Sequence, residues 1–205
     1  MRRVSTVLAA TALLLLTGRA VPGKGKMGLD EEGFITTWLL LAPIVLDKGQ
    51  SGADALGKEQ IPGEAKLRPK AGDKVKVNGK ELVWKVYQAK GYFFDVNDFL
   101  GKVTEDSVAY AVCYIHADRA LPDIQLRTGS DDQAVVYLNG KQVLKQAEDR
   151  ELTKDDDITD VSLQKGVNVL MFKVVNEKED WSGCARFTDK NGQVIKKLKV
   201  TSAPE

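Results

Sequence analysis

Ala134-Val135-Val136-Tyr137-Leu138-Asn139-Gly140-Lys141-Gln142-Val143-Leu144 is the stretch whose reading decides the fold. Two runs rich in β-branched and aliphatic residues flank Asn-Gly, the dipeptide that best tolerates the two positive φ angles of a type I′ turn. The segment predicts a β-hairpin turning at Asn139-Gly140. Asn78-Gly79 repeats the signal between Lys74-Val75-Lys76-Val77 and the run Glu81 to Tyr87. Asn191-Gly192 reads the same way ahead of a last short strand at Val194-Ile195. Outward from these turns lie further strand-like runs, at Phe34 to Leu41, Gly91 to Val96, Ser107 to His116, Ile124 to Thr128, Val167 to Val175 and Cys184 to Thr188. After residue 20, no segment keeps a helical apolar stripe for three turns. Short strands broken by frequent turn signals predict an all-β, antiparallel sandwich or barrel.

The chain has 205 residues, enough for one domain with a sizeable core. Its 30 Lys and Arg balance 29 Asp and Glu, which lacks the basic excess of a nucleic-acid binder. Residues 1–20 differ from the rest: Met1-Arg2-Arg3, an apolar run from Val4 to Thr17, then Gly18-Arg19-Ala20. This is the pattern of a secretory signal peptide, and it predicts a secreted or periplasmic protein. The apolar run falls short of the roughly 20 residues that span a bilayer; an uncleaved anchor is the alternative. Residues 21–33 read as a flexible leader and 34–200 as a single β-sandwich domain. Residues 47–73 carry Gly49, Gly52, Gly57, Pro62, Gly63, Pro69 and Gly72. They predict either a functional loop or one containing short helical turns.

Four motifs in the second half, in this order, resemble one family. They are Gly129-Ser130-Asp131-Asp132, Val136 to Lys141, Leu163 to Val174, and Trp181 to Asp189. The family is the galactose-binding-like jelly-roll β-sandwich, similar to the sugar-binding N-terminal domain of family 2 glycoside hydrolases. Phe34 to Pro43 looks like its opening strand and Val108 to Ile115 like its central strand. The resemblance implies a jelly roll over most of residues 34–198 and says little about ligand, because the fold hosts many functions. Gln133 stands where the family usually has Gly, and Gly183 where it often has a bulky apolar residue.

Candidate ligand contacts follow from chemistry. Sugars are held by aromatic faces against C–H groups and by polar side chains on hydroxyls. Trp181, at a loop-to-strand edge, is the best platform candidate, with a core position as its alternative. Tyr137 alternates with Val136 and Leu138, so it should face away from them. Asp131 and Asp132 could bind hydroxyls, hold a hard cation or cap turn amides. Strand neighbours point to opposite faces, which makes the pair poor glycosidase machinery. Arg150 completes the expected site. Trp38 and Trp84 lie in apolar runs and read as core. The acidic cluster Asp155-Asp156-Asp157 with Asp160 reads as a solvated loop. Cys113 and Cys184 would form a disulfide in an oxidising compartment if geometry brings them together, and are otherwise small buried hydrophobes. His116 is the only His, at the end of a strand, and zinc would need more ligands.

These readings predict no enzyme, no cofactor and no metal. They point to a secreted binding module whose partner is carbohydrate or a glycan surface. A structural β-sandwich contacting an envelope or extracellular protein is the alternative, and a glycoside-processing enzyme the second. Nucleic acid is not an expected partner, and no membrane span is expected in the mature chain.

Overall fold

A computed structural model of the protein describes residues 28–204. The expected signal peptide at 1–20 and residues 21–27 of the leader lie outside them. The elements in chain order are β1 (Thr37–Val45), α1 (Gly52–Gly57), β2 (Lys74–Val77), β3 (Lys80–Val83), β4 (Lys85–Gln88), β5 (Phe94–Asp95) and α2 (Val96–Leu100). There follow β6 (Ser107–Ala117), β7 (Leu121–Asp131), β8 (Gln133–Leu138), β9 (Lys141–Gln146), β10 (Asp157–Leu163), β11 (Gly166–Asn176), β12 (Ser182–Thr188) and β13 (Lys199–Thr201). All strand pairs are antiparallel. A large sheet runs β4-β1-β6-β11-β8-β9, with β13 also on β6. A small sheet runs β10-β7-β12-β5, and β2-β3 is a separate hairpin. The fold is all-β, as the strand pattern predicts.

The centre of the large sheet is the β6–β11 pair, in register from Ala117↔Gly166 to Ser107↔Asn176. Both strands are buried over almost their whole length. That burial explains their continuous apolar runs, since a strand covered on both faces has no need to alternate. One face carries Ala109, Ala111, Ile115, Leu170, Phe172 and Val174 and packs against the small sheet's Leu126, Ala185 and Phe187. Trp38, Phe94 and Phe172 interlock edge to face in this layer at centroid separations of 5.0, 5.8 and 5.7 Å, the arrangement that aromatic quadrupoles favour. The opposite face carries Val108, Tyr110, Val112, Met171 and Val175 and lies beneath Leu46, Leu56, Ile61, Val77 and Trp84. The long segment 47–73 is therefore neither idle nor open. With the β2–β3 hairpin it forms a third layer over the large sheet.

A buried ion pair fastens this cover. The Lys173 ammonium donates to Glu64 Oε1 at 3.0 Å and to the Lys58 carbonyl at 2.6 Å. Glu64 also accepts from Tyr110 OH, from Tyr137 OH at 3.2 Å and from the Gln60 N–H at 3.2 Å. The Lys173 and Glu64 side chains are 0% and 2% exposed. Burial pulls the Lys173 ammonium below its ordinary value, and the Glu64 charge works against that pull. Burial first, and then the Glu64 charge, pushes the Tyr137 phenol up to about 12. Tyr137 does face away from Val136 and Leu138. The face it occupies is covered, however, so its hydroxyl serves this network and not an external ligand.

Local expectations fare unevenly. Asn78-Gly79 and Asn139-Gly140 both turn with two positive φ angles, 49° and 77°, then 52° and 82°. Asn191-Gly192 does not: only Gly192 has positive φ, because Asp189 Oδ1 takes the N–H groups of Asn191 and Gln193 and holds a wider loop. Val194 makes a single bridge to Thr188, and the last strand is β13. Residues 28–33, expected within the leader, form a bonded turn in which Leu29 bridges Ile35 and Asp30 Oδ1 accepts from the Phe34 N–H at 2.8 Å. Order therefore extends back before Phe34. Cys113 and Cys184 are both free and buried. Cys113 faces the inter-sheet core, while Cys184 alternates with the core residue Ala185 and lies on the other face of the small sheet. The candidate disulfide is thus not formed. Burial raises both thiols, Cys184 to about 12, which leaves them protonated and unreactive.

Breaking one side of a buried pair leaves an uncompensated charge, at a cost of about 3–5 kcal/mol. Glu64→Gln and Lys173→Met are each expected to destabilise by that order in urea unfolding. The double variant is expected to cost clearly less than the sum.

Candidate functional site

The small sheet ends in a row that three strands build together. β7 pairs β12 with Asp131 opposite Ser182, and β12 pairs β5 with Ser182 opposite Asp95. Directly opposed residues share a face, so Asp131, Ser182 and Asp95 stand side by side. They line a cleft of about 590 Å³. Gly183, next in β12, faces the core, where a Cβ would lie 2.5 Å from Phe94 Cζ. Phe94 thus fills the space that a bulky residue at 183 would need, which accounts for glycine at this position.

Asp132 follows the end of β7 and also lines the cleft. Strand alternation predicts opposite faces for the two carboxylates, but β7 ends at Asp131, so alternation does not extend to Asp132. Asp131 is 9% exposed. Burial, then the Asp132 charge, raises its carboxyl to about 6, against the opposing effect of the Leu152 N–H. Burial likewise raises Asp132, whose Oδ2 accepts from the Glu177 N–H at 3.0 Å. Asp95 caps α2, accepting from the Asp98 N–H at 2.8 Å.

One wall comes from a strap after β9. Arg150 reaches from it to Asp157 at 2.6 Å, Asp156 at 2.7 Å and Ser130 Oγ at 2.9 Å. Asp155 receives Arg186 at Nε, 2.8 Å away, and again at Nη2, and lies 3.4 Å from Arg127. Asp155, Asp156 and Asp157 are thus ion-paired with three arginines, and Asp160 with Lys190 at 3.0 Å, rather than simply solvated. These bonds press the strap onto the sheet so closely that a Cβ on Gly129 would meet the Thr153 carbonyl oxygen at 2.0 Å. The Arg150 charge is spent inside the protein, so Arg150 shapes the wall and is not a ready ligand contact. Glu151 and Leu152 complete that wall.

The opposite wall carries Lys178, Glu179, Asp180 and Trp181. Trp181 is 1% exposed and belongs to the core between the sheets, so it is not an open platform. Its indole N–H is buried without an acceptor among the described residues. The half-exposed aromatics of the cleft are instead Tyr92 and Phe93, whose rings meet edge to face at 5.0 Å. The Lys154 ammonium lies 4.4 Å from the Tyr92 ring centre.

Of the predicted site residues, the structure brings together Asp131, Asp132, Arg150 and Trp181 and places Tyr137 on the far side of the large sheet. Sequence reasoning missed Tyr92, Phe93 and Asp95. Gly91-Tyr92-Phe93-Phe94 reads only as a strand, and it is the pairing of the next two residues, Phe94 and Asp95, with β12 that brings the Tyr92 and Phe93 rings to the cleft. His116 Nε2 lies 2.9 Å from Thr201 Oγ1, away from this site. Among the described residues no group of three or more His, Cys, Asp or Glu is placed to hold a metal ion. No family model, curated protein or solved structure matches the chain.

A carboxyl raised from 3.8 to about 6 on folding binds its proton more tightly in the folded state. Its contribution to stability is full below about pH 4 and is lost as pH rises through about 6. Replacing Asp131 with Asn is therefore expected to become more stabilising from about pH 4 to about pH 7, by roughly 2–3 kcal/mol, in urea titrations of both proteins. Gly129→Ala must displace the strap and is expected to lower stability by about 1–3 kcal/mol in the same assay.

Proposed function

We propose that this chain is an exported, non-catalytic module that binds carbohydrate in the cleft at the end of the small sheet. The observation that carries the reading is the half-exposed Tyr92–Phe93 pair beside the Asp131–Ser182–Asp95 row. A sugar ring offers an apolar C–H face and a rim of hydroxyls. Aromatic rings meet the first, and carboxylates meet the second with charge-assisted hydrogen bonds. Export rests on the pattern of residues 1–20, and the galactose-binding-like jelly roll rests on the four motifs quoted above. Two antiparallel sheets packed over one core support that family reading. No helix among the described residues is long and apolar enough to cross a membrane.

The test is titration of the purified protein with a panel of oligosaccharides. Tyr92→Ala and Phe93→Ala are each expected to weaken the best ligand by about tenfold, the loss of roughly one aromatic contact, with unfolding midpoints little changed. Affinities equal to that of the unaltered protein would remove the site, and an inert panel would remove the function.

A further inference from the structure

Apart from the cleft, we propose that the Glu64–Lys173 pair is a site of covalent self-modification, where the two side chains condense into an isopeptide bond. The bond would tie the cover segment to the large sheet. Lys173 is 0% and Glu64 2% exposed, and Lys173 Nζ lies 3.0 Å from Glu64 Oε1. The remaining partners give the pair a direction. Nζ also donates to the carbonyls of Lys58 at 2.6 Å and Leu56 at 3.5 Å. An ammonium has three N–H donors, and here it meets three acceptors. Once one proton passes to Glu64, the two carbonyls hold the remaining N–H groups, and the freed lone pair is turned toward the carboxyl group. Burial already draws the Lys173 ammonium toward that neutral amine, the form that acts as a nucleophile.

The carboxyl side is prepared as well. Glu64 Oε2 accepts from Tyr110 OH and from the Gln60 N–H at 3.2 Å, while Oε1 accepts from Tyr137 OH at 3.2 Å. Two fixed donors on one oxygen make an oxyanion hole. Burial raises the Tyr110 phenol, which keeps its proton in place to donate. In the reaction Nζ attacks Cδ, and the charge that develops on Oε2 falls on the Tyr110 and Gln60 donors. A second Nζ proton passes to Oε1, the Cδ–Oε1 bond breaks, and Oε1 leaves as water. The third proton stays on the new amide and keeps the Lys58 carbonyl as its acceptor. Nothing is oxidised or reduced. A buried ion pair returns little stability once both charges are desolvated. Condensation removes both charges and leaves the amide matched to the same partners. Glu59 and Gly63, on the same turn, are exposed and give the water a short way out.

The experiment is tryptic mapping of the full chain by mass spectrometry after purification in urea, refolding and prolonged incubation. Trypsin is expected to spare Lys173 and to yield Glu59–Lys66 joined to Gly166–Lys178, lighter than the two peptides together by one water, about 18 Da. Chain kept in urea throughout is expected to stay unjoined, because only the fold brings residues 64 and 173 together. Tyr110→Phe keeps the ring and loses one donor to Oε2, and is expected to slow the joining by about tenfold or more. Separate peptides of full mass after incubation of the folded chain would overturn the bond. Joining in urea would overturn the role of the folded geometry, and joining of the Tyr110→Phe variant at the original rate would overturn that of the oxyanion hole.

Discussion

The β6–β11 pair is buried on both faces, and the rest of the molecule follows from that constraint. A single sheet cannot hide two apolar faces. The small sheet covers one, and the segment from Leu46 to Trp84 covers the other. The first packing makes a sandwich and brings β7, β12 and β5 to a common end, where the cleft lies. The second removes from solvent a surface that would otherwise be sticky. The long glycine- and proline-rich loop is thus part of the core architecture.

The two packed interfaces use different chemistry. Between the sheets, contact is aromatic and aliphatic, centred on Trp38, Phe94 and Phe172. Under the cover, the apolar contacts surround one ion pair with its tyrosines and backbone carbonyls. Apolar surface is non-directional, whereas a buried charge is tolerated only with its partners in place. Glu64 and Lys173 therefore set where the cover sits, a role distinct from how tightly it holds.

What could be read from the sequence was what is decided locally. Asn78-Gly79 and Asn139-Gly140 turn as their φ preferences require, and Trp38 and Trp84 are core because apolar runs surround them. Asn191-Gly192 misled because a neighbouring carboxylate, Asp189, outbid the turn preference for the local N–H groups. The site was half legible. Asp131 and Asp132 stood out as a pair of charges, but Tyr92 and Phe93 reach the cleft only because the residues after them, Phe94 and Asp95, pair with a strand some ninety residues away. Arg150 was expected in the site, yet its partners at 130, 156 and 157 show its role to be internal. Tyr137 obeyed its alternation, but alternation names a face and does not say what lies over it.

The large sheet is open at both ends, with β4 on one side and β9 on the other. Open edges invite neighbouring copies to join strand to strand into ribbons. Here β4 begins with Lys85, and β9 carries Lys141 and Lys145, all exposed. If another copy joined either edge, these ammonium groups would be drawn toward the new seam. Lysine at both borders works against such polymerisation.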